Sequence, residues 1–130
     1  MCIVPGANGV GFRFGTNYDE MYIKNCTFIG GTHGVSESGD PDTLTTVQNC
    51  VAYGQSTAGF DEGIGTWGTF EYCASADTSA TGTGAVTGIT STDFVDYAGG
   101  NYAAKIGGAL AGAGTDLSAN FDDDITGTPR

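Results

Sequence analysis

The stretch YIKNCTFIG at residues 22–30 decides the fold, because two later stretches of the chain repeat its pattern. Residues 46–54 read TVQNCVAYG and residues 69–77 read TFEYCASAD, with an apolar residue and a cysteine at the same offsets. At the start of the chain, CIVPG at residues 2–6 aligns with residues 50–54. A fixed period of this length is typical of repeat architectures.

The cysteines give the length of the repeat. Their spacings are 24, 24 and 23 residues, for Cys2, Cys26, Cys50 and Cys73. A second register follows the same period, since GFRF at residues 11–14, GVSE at 34–37 and GFDE at 59–62 each place a glycine before a short alternating segment. Two registers with one period predict one structural unit per repeat.

The composition favours strands and turns over helices. Glycine makes up 23 of the 130 residues, far above its usual share of ~7%, and no segment keeps an apolar 3.6-residue period for three turns. Short β segments in repeats of about 24 residues predict an all-β fold, a right-handed parallel β-helix of about four coils. We expect a single domain over 1–130, with regular coils over 1–77 and irregular last coils and an acidic tail over 78–130.

Stacked coils place equivalent residues above one another at intervals of about 4.8 Å. The alignment therefore predicts an apolar ladder inside the fold and an asparagine ladder at a corner, where side-chain amides hydrogen-bond from coil to coil. The cysteines are expected in a third line, as a ladder of buried thiols, as a set with at least one disulfide, or as a metal site. The predicted ladder residues are Ile23, Val47 and Phe70, then Phe12, Val35 and Phe60, then Asn25 and Asn49, then all four cysteines.

The charge of the chain excludes some partners. Fifteen Asp and Glu against four Lys and Arg give a formal net charge of −11, which argues against nucleic-acid binding and against an electrostatically held membrane surface. The sequence also lacks an apolar stretch long enough to span a bilayer. The first residues do not have the pattern of a signal peptide. No cofactor is expected.

The last third of the sequence resembles a known family. The segments STDFVD at residues 91–96, GNYAAK at 100–105, ALAGAGTDL at 109–117 and DITGTPR at 124–130 are similar to a widespread ending of right-handed parallel β-helix proteins. Such proteins occur in bacteriophage virions and among secreted bacterial carbohydrate-active proteins. The resemblance covers roughly residues 20–130. It implies the parallel β-helix fold and a role either in a virion or in the binding or cleavage of carbohydrates.

The carboxylates are the residue type that could carry catalysis. Glu37 and Glu62 occupy equivalent repeat positions, and Asp61 precedes Glu62. Glycoside hydrolysis needs two carboxyl groups, and these three residues are the candidates to supply them. The alternative is a solvated acidic face. His33, the one histidine, is expected in a surface turn, and the tail residues 122–124 could hold calcium or be solvated.

These observations predict a non-enzymatic structural protein of a bacteriophage virion, either a capsid decoration or cement protein or a tail spike or fibre component. The first coil begins at Cys2, so its open end predicts assembly: a homo-oligomer, with a trimer favoured, seated on a virion protein such as the major capsid or tail protein. The alternatives are a fragment of a carbohydrate-degrading tailspike or enzyme, and a carbohydrate-binding module that is extracellular or on a bacterial surface.

Overall fold

The computed structural model describes residues 2–3, 8–15, 20–38, 44–63 and 67–117. Within these residues the chain forms short strands and one 3₁₀ turn at Ser91–Asp93, and no α-helix. The strands are β1 Cys2–Ile3, β2 Val10–Phe14, β3 Glu20–Lys24, β4 Thr27–Ile29, β5 His33–Glu37, β6 Leu44–Gln48, β7 Val51–Tyr53, β8 Ala58–Asp61, β9 Trp67–Glu71, β10 Ala74–Ser75, β11 Val86–Thr87, β12 Phe94–Asp96 and β13 Asn101–Ala104.

The strands of successive repeats enter three parallel sheets in a fixed rotation. Sheet A has the order β1-β4-β7-β10-β11, sheet B has β2-β5-β8, and sheet C has β3-β6-β9. Each repeat therefore adds one strand to sheet A, then one to sheet B, then one to sheet C. The predicted all-β class is confirmed, and the repeat period is the distance along the chain between neighbouring strands of one sheet.

The register of the sheets stacks the apolar positions of successive repeats. In sheet C, Ile23 pairs with Val47 and Val47 pairs with Phe70. In sheet B, Val35 lies between its two ladder neighbours, Phe12 and Phe60. Val35 and Val47 have no exposed surface and belong to one core cluster, so the two ladders form a continuous apolar interior between sheets B and C.

The corner between sheets C and A has a left-handed residue in every repeat. Asn25, Asn49 and Tyr72 have φ angles of 54°, 53° and 53°. Asparagine tolerates this conformation better than most residues, because its short side chain hydrogen-bonds locally. Asn49 Nδ2 also donates to Asn25 Oδ1 at 3.2 Å, so the two amides connect successive repeats at the corner.

Cysteine follows the left-handed residue because a thiol fits this corner. The Sγ of each cysteine donates a weak hydrogen bond to the carbonyl oxygen two residues earlier, and the cysteine carbonyl accepts from the backbone N–H of the next repeat. The thiol bonds are Cys26 to Lys24 at 3.3 Å, Cys50 to Gln48 at 3.3 Å and Cys73 to Glu71 at 3.4 Å. The backbone bonds join Val51 to Cys26, Ala74 to Cys50 and Val86 to Cys73.

Cys2 does not belong to this line of cysteines, and the prediction that it does was wrong. Cys2 pairs with Phe28, and Ile3 pairs with Ile29, so the first strand is shifted by two residues relative to the cysteine alignment. A shift of two residues keeps the alternation of faces along a strand. The spacing of cysteines alone therefore could not distinguish this register from the predicted one.

Glycine is required where sheets A and B approach each other. A Cβ atom at Gly34 would lie 2.6 Å from the Gly59 carbonyl oxygen and 3.0 Å from Ala52 Cβ. These distances are shorter than ordinary van der Waals contacts. The glycine that opens each segment of the second register therefore lets neighbouring backbones pack closely.

The C-terminal segment covers the outer face of sheet A. In the described residues after β10, β11 adds a further strand to the stack, whereas β12 and β13 form an antiparallel pair. The expected last coils are not formed there, because the described residues after β11 do not continue as further repeats. They build a second apolar cluster in which Ile89 and Phe94 pack on Ile29 and Ala74, with Tyr53, Tyr97, Tyr102 and Leu110 around them. The acidic residues 122–124 lie outside the described residues.

Side chains protect the edge of β8, where the next strand of sheet B would lie. Asp77 Oδ2 accepts from the Gly59 N–H at 2.9 Å, and Ser79 Oγ accepts from the Phe60 N–H at 3.0 Å. Burial acts to raise the pKa of Asp77, but hydrogen bonds from Ser79, Gly59 and Ser75 outweigh it and lower the pKa. Asp77 therefore stays ionised as the acceptor that ends sheet B.

We expect Val47→Asp to unfold the protein, because it places an unpaired charge in a fully buried position between two repeats. Thr46→Asp, one residue earlier at a half-buried position, is the control and should leave most of the structure intact. Circular dichroism and thermal melting measure both. A Val47→Asp variant that melts like the wild type would contradict the ladder.

Asp77→Ala should lower the free energy of unfolding by about 1–3 kcal/mol, because it leaves the Gly59 N–H without its acceptor. Asp77→Asn keeps one acceptor oxygen and should lose less. Urea denaturation at pH 7 compares the two variants. Equal losses in both would show that the charge, and not the acceptor geometry, protects the edge.

Candidate functional site

The candidate acidic residues lie at the ends of two neighbouring strands of sheet B. Glu37 is the last residue of β5, and Asp61 is the last residue of β8. Asp61 pairs with Ser36, and continuing that register by one residue places Glu62 beside Glu37. The structure thus brings the predicted trio together on two successive repeats.

Glu37 is buried, which its sequence position did not indicate. Only 1% of its surface is exposed, and neither carboxylate oxygen has a hydrogen-bond partner within the described structure. Burial, and then the nearby negative charge of Glu62, raise the pKa of Glu37. The expected solvated acidic face therefore does not extend to this residue.

Glycine at position 63 allows the approach of the two repeats at this point. Gly63 has a φ of +61°, and a Cβ atom there would lie 1.9 Å from the Glu37 carbonyl oxygen. Any side chain would push the segment away. Gly63 thus fixes the exposed Glu62 next to the buried Glu37.

Asp61 is held by three neighbours. Ser36 Oγ donates to Asp61 Oδ2 at 3.3 Å, and the Gly63 N–H donates to Oδ1 at 3.1 Å. His33 Nε2 lies 3.6 Å from Asp61 Oδ2. Because the carboxylate lies between the serine and the histidine, the histidine is not placed to take a proton from the serine hydroxyl. This is not the arrangement of a serine nucleophile and its base.

His33 is not in a surface turn, contrary to the expectation from sequence. It is the first residue of β5 and is half-buried. Its Nδ1 lies 3.1 Å from Thr32 Oγ1, so both ring nitrogens have neighbours within the fold. The histidine has a structural position beside Asp61.

The pair of Glu37 and Glu62 has one feature of an acid–base site and lacks another. Two carboxyl groups in unlike environments are the usual basis of a general acid and its ionised partner. A general acid must also come within hydrogen-bond reach of the substrate, and both oxygens of Glu37 are shielded from solvent. In this conformation the pair cannot protonate an external glycosidic oxygen.

The thiols of the corner are free and mostly buried. Cys26 is half-buried, whereas Cys50 and Cys73 have no exposed surface. Hydrogen bonding to the two neighbouring thiols, together with burial, raises the pKa of Cys50, so this thiol stays protonated. Of the three alternatives for the cysteines, the free-thiol ladder describes these three residues. Across the described ranges, no group of three or more His, Cys, Asp or Glu is arranged to hold a metal ion.

Two structural sites were missed by the sequence reasoning. Asp93 accepts hydrogen bonds from the backbone N–H groups of Thr90 and Ala109, both at 2.8 Å, and these bonds lower its pKa. It thereby joins the 3₁₀ turn to the last loop. The T-x-x-D spacing of Thr90 and Asp93 is a capping-box signal that could have identified this role. No comparable sequence motif marks Asp77 as the acceptor at the edge of β8.

The C-terminal segment leaves a cavity of about 360 Å³ against the asparagine corner. Asn49 holds one wall through two bonds to the backbone of Thr115, at 2.8 and 2.9 Å. None of the described residues that line the cavity is charged. Those that carry hydrogen-bonding side chains are Asn25, Thr27, Asn49, Tyr72 and Tyr102.

Most aromatic side chains that could stack on a sugar ring are half-buried against other rings. Tyr53 and Tyr97 form an edge-to-face pair with ring centroids 4.9 Å apart. Trp67 stacks on Phe70 at 5.5 Å. Tyr22, by contrast, has 61% of its surface exposed on the outside of sheet C.

Comparison with protein families, curated proteins and solved structures finds no match to this chain. Among the described residues, no helix has the length and apolar character needed to cross a membrane. The geometry of the chain itself therefore carries the functional argument.

We expect Glu37→Gln to stabilise the protein at neutral pH. The buffer contains a chelator, so that no metal ion can neutralise the carboxylate of the wild type. The folded-state pKa of Glu37 is raised above its ordinary value of 4.5, so the folded wild type binds more protons than the unfolded chain and loses stability as pH rises above about 4.5. The stability difference between variant and wild type should grow from pH 4.5 upward, at no more than about 1.4 kcal/mol per pH unit.

Urea denaturation between pH 4 and pH 8 measures this difference. Glu20→Gln removes an equal charge from an exposed position and serves as the control. A Glu37→Gln curve that runs parallel to the wild-type curve over the whole range would show that Glu37 is not buried as a carboxylic acid.

Proposed function

We propose that this protein is a non-enzymatic structural component of a bacteriophage virion, as a capsid decoration or cement protein or as part of a tail spike or fibre. The observation that carries the proposal is the stack of three parallel sheets, in which the carboxylate pair Glu37 and Glu62 has its candidate acid shielded from solvent. Such a stack supplies an extended surface for contacts with other proteins.

The proposal includes a finer description of the fold. We infer that the three sheets close into a right-handed parallel β-helix, with each repeat forming one coil. The fixed rotation of strands through sheets A, B and C and the shared core between them support this description. The handedness follows the rule for parallel crossover connections.

The ends of the stack support assembly with a partner. On one side the outermost strands are β1, β2 and β3, and no described strand pairs with their outer edges. On the opposite side, Asp77 and Ser79 occupy the edge of β8. A strand at the edge of a sheet is a template for pairing with another chain, so we propose a homo-oligomer, with a trimer favoured, that contacts a virion protein such as the major capsid or tail protein.

The edge offers apolar as well as backbone groups. Phe12 on β2 is 41% exposed, and covering such surface contributes about 25 cal/mol per Å². The net charge of −11 opposes association of copies through electrostatic repulsion. Salt screens this repulsion, and the contact should therefore tighten as salt concentration rises.

Sedimentation velocity over a range of protein and salt concentrations tests the assembly. We expect a species heavier than the 13.2 kDa chain that becomes more populated as salt increases. Phe12→Lys, which puts a charge on the outermost strand of sheet B, should shift the population to monomer. Thr78→Lys adds the same charge beside Asp77 at the opposite end and should leave the mass unchanged. A folded wild type that stays monomeric under every condition would contradict the proposed assembly.

A carbohydrate-binding module is the second candidate, favoured by the uncharged cavity against the asparagine corner. Its amides, hydroxyls and tyrosines are groups that bind neutral sugars. A screen with neutral and anionic polysaccharides separates the candidates. Binding without turnover favours the module, whereas turnover that is lost in Glu62→Gln favours a fragment of a carbohydrate-degrading enzyme.

A further inference from the structure

The burial of the Glu37 carboxylate without a partner needs a physical explanation. Its Oε1 and Oε2 are both shielded from solvent and neither is hydrogen-bonded within the described structure. Buried polar groups in folded proteins are nearly always satisfied, and exceptions often mark a bound water, ion or functional group. An unpaired carboxylate in this position is strongly unfavourable unless something neutralises it.

The basic groups of the described chain do not supply that neutralisation. Arg13 and Lys105 are exposed, and Lys24 Nζ lies 5.5 Å from the centroid of the Tyr22 ring. The ion pair of His33 is with Asp61. Among the described residues, a second carboxylate lies near Glu37 instead: that of Glu62, whose negative charge adds to burial in raising the pKa of Glu37 and which the contact between Gly63 and the Glu37 carbonyl brings close.

The next repeat adds a second carboxylate at this place. Glu62 follows Asp61, the last residue of β8, and Asp61 pairs with Ser36. Glu62 therefore lies beside Glu37 on the neighbouring strand end, and burial together with the charge of Glu62 raises the pKa of Glu37.

We propose that a hard divalent cation of the Ca²⁺ class binds between Glu37 and Glu62, where β5 and β8 end. Glu37 is the anchoring ligand and Glu62 the second carboxylate. Backbone carbonyl groups and water complete the shell. Ca²⁺ accepts six to eight oxygen ligands in flexible geometry, which suits two carboxylates supplemented by neutral oxygens.

The donor chemistry favours Ca²⁺ over other ions. Zinc prefers sulfur and nitrogen ligands, but the cysteine line lies at another corner and His33 is held by Thr32 and Asp61. Magnesium demands near-ideal octahedral geometry and keeps most of its water, which a shielded carboxylate does not accommodate easily.

A proton on Glu37 is the competing explanation, and it accounts for only one of the two carboxylates. It would neutralise Glu37 and leave the negative charge of Glu62 beside it. A divalent cation neutralises both carboxylates. It also joins the end of β5 to the segment after β8, so its binding would stabilise the stacking of two repeats.

Terbium luminescence and thermal melting test the site in the full chain. Tb³⁺ takes oxygen ligands like Ca²⁺. Trp67, the one tryptophan, can sensitise it, because Trp67 stacks on Phe70, which contacts Phe60 of β8. We expect saturable Tb³⁺ emission that Ca²⁺ displaces. Ca²⁺ added to chelator-treated protein at constant ionic strength should raise the melting temperature by roughly 5–10 °C at a hundredfold excess over the dissociation constant.

The variants separate a specific site from general screening of an acidic protein. Glu37→Gln should abolish both responses, and Glu62→Gln should weaken binding at least tenfold. Glu20→Gln, which removes an exposed carboxylate that accepts from Tyr22, should keep both. Because Glu62 is exposed, its variant tests the site even if Glu37→Gln fails to fold.

Two outcomes would overturn the proposal. A Ca²⁺ response that persists in Glu37→Gln and Glu62→Gln, or that is lost equally in Glu20→Gln, would assign the effect to overall charge. No Tb³⁺ emission and no thermal response in the wild type at neutral pH would leave the proton as the neutralising group.

Discussion

Parallel pairing between the backbones of successive repeats is the constraint on which the rest of this structure depends. Pairing runs through all three sheets and continues through the corner, where the carbonyls of Cys26, Cys50 and Cys73 accept N–H groups from the next repeat. Because neighbouring strands lie about 4.8 Å apart, every side chain rests on its equivalent in the next repeat. The identity of each residue is therefore limited by its neighbours above and below.

This constraint explains which residues recur. A ladder inside the stack needs apolar residues at each level, as with Ile23, Val47 and Phe70. A corner needs a residue that accepts a left-handed conformation, and asparagine also bonds to its own copy one repeat away. Neighbouring strands satisfy each other's backbone hydrogen bonds, so the edges lie at the outermost strands. At one end, Asp77 and Ser79 accept from the edge of β8. At the other end, β1, β2 and β3 are the outermost described strands.

Glu37 is a buried acid in a stack whose interior ladders are apolar. Its register partner in the previous repeat is Phe14, and the exposed Glu62 follows in the next. Within the described structure the buried Glu37 carboxylate has no hydrogen-bond partner, and such an acid lowers stability unless a proton or a cation is bound. The stability of the stack can therefore depend on pH or on metal ions at this residue. Asp77 and Asp93 differ, because their oxygens accept hydrogen bonds from backbone N–H groups.

The sequence by itself determined the all-β class, the period and the ladder positions, because strand pairing in a stack relates residues about 24 positions apart and the alignment shows that relation directly. It also placed Glu37, Asp61 and Glu62 together. Only the tertiary structure decided the two-residue shift of Cys2, since such a shift preserves the facing of side chains. The return of residues 89–117 over sheet A and the shielding of Glu37 were likewise decided there, because contacts between a repeated and a non-repeated segment leave no periodic trace in the sequence.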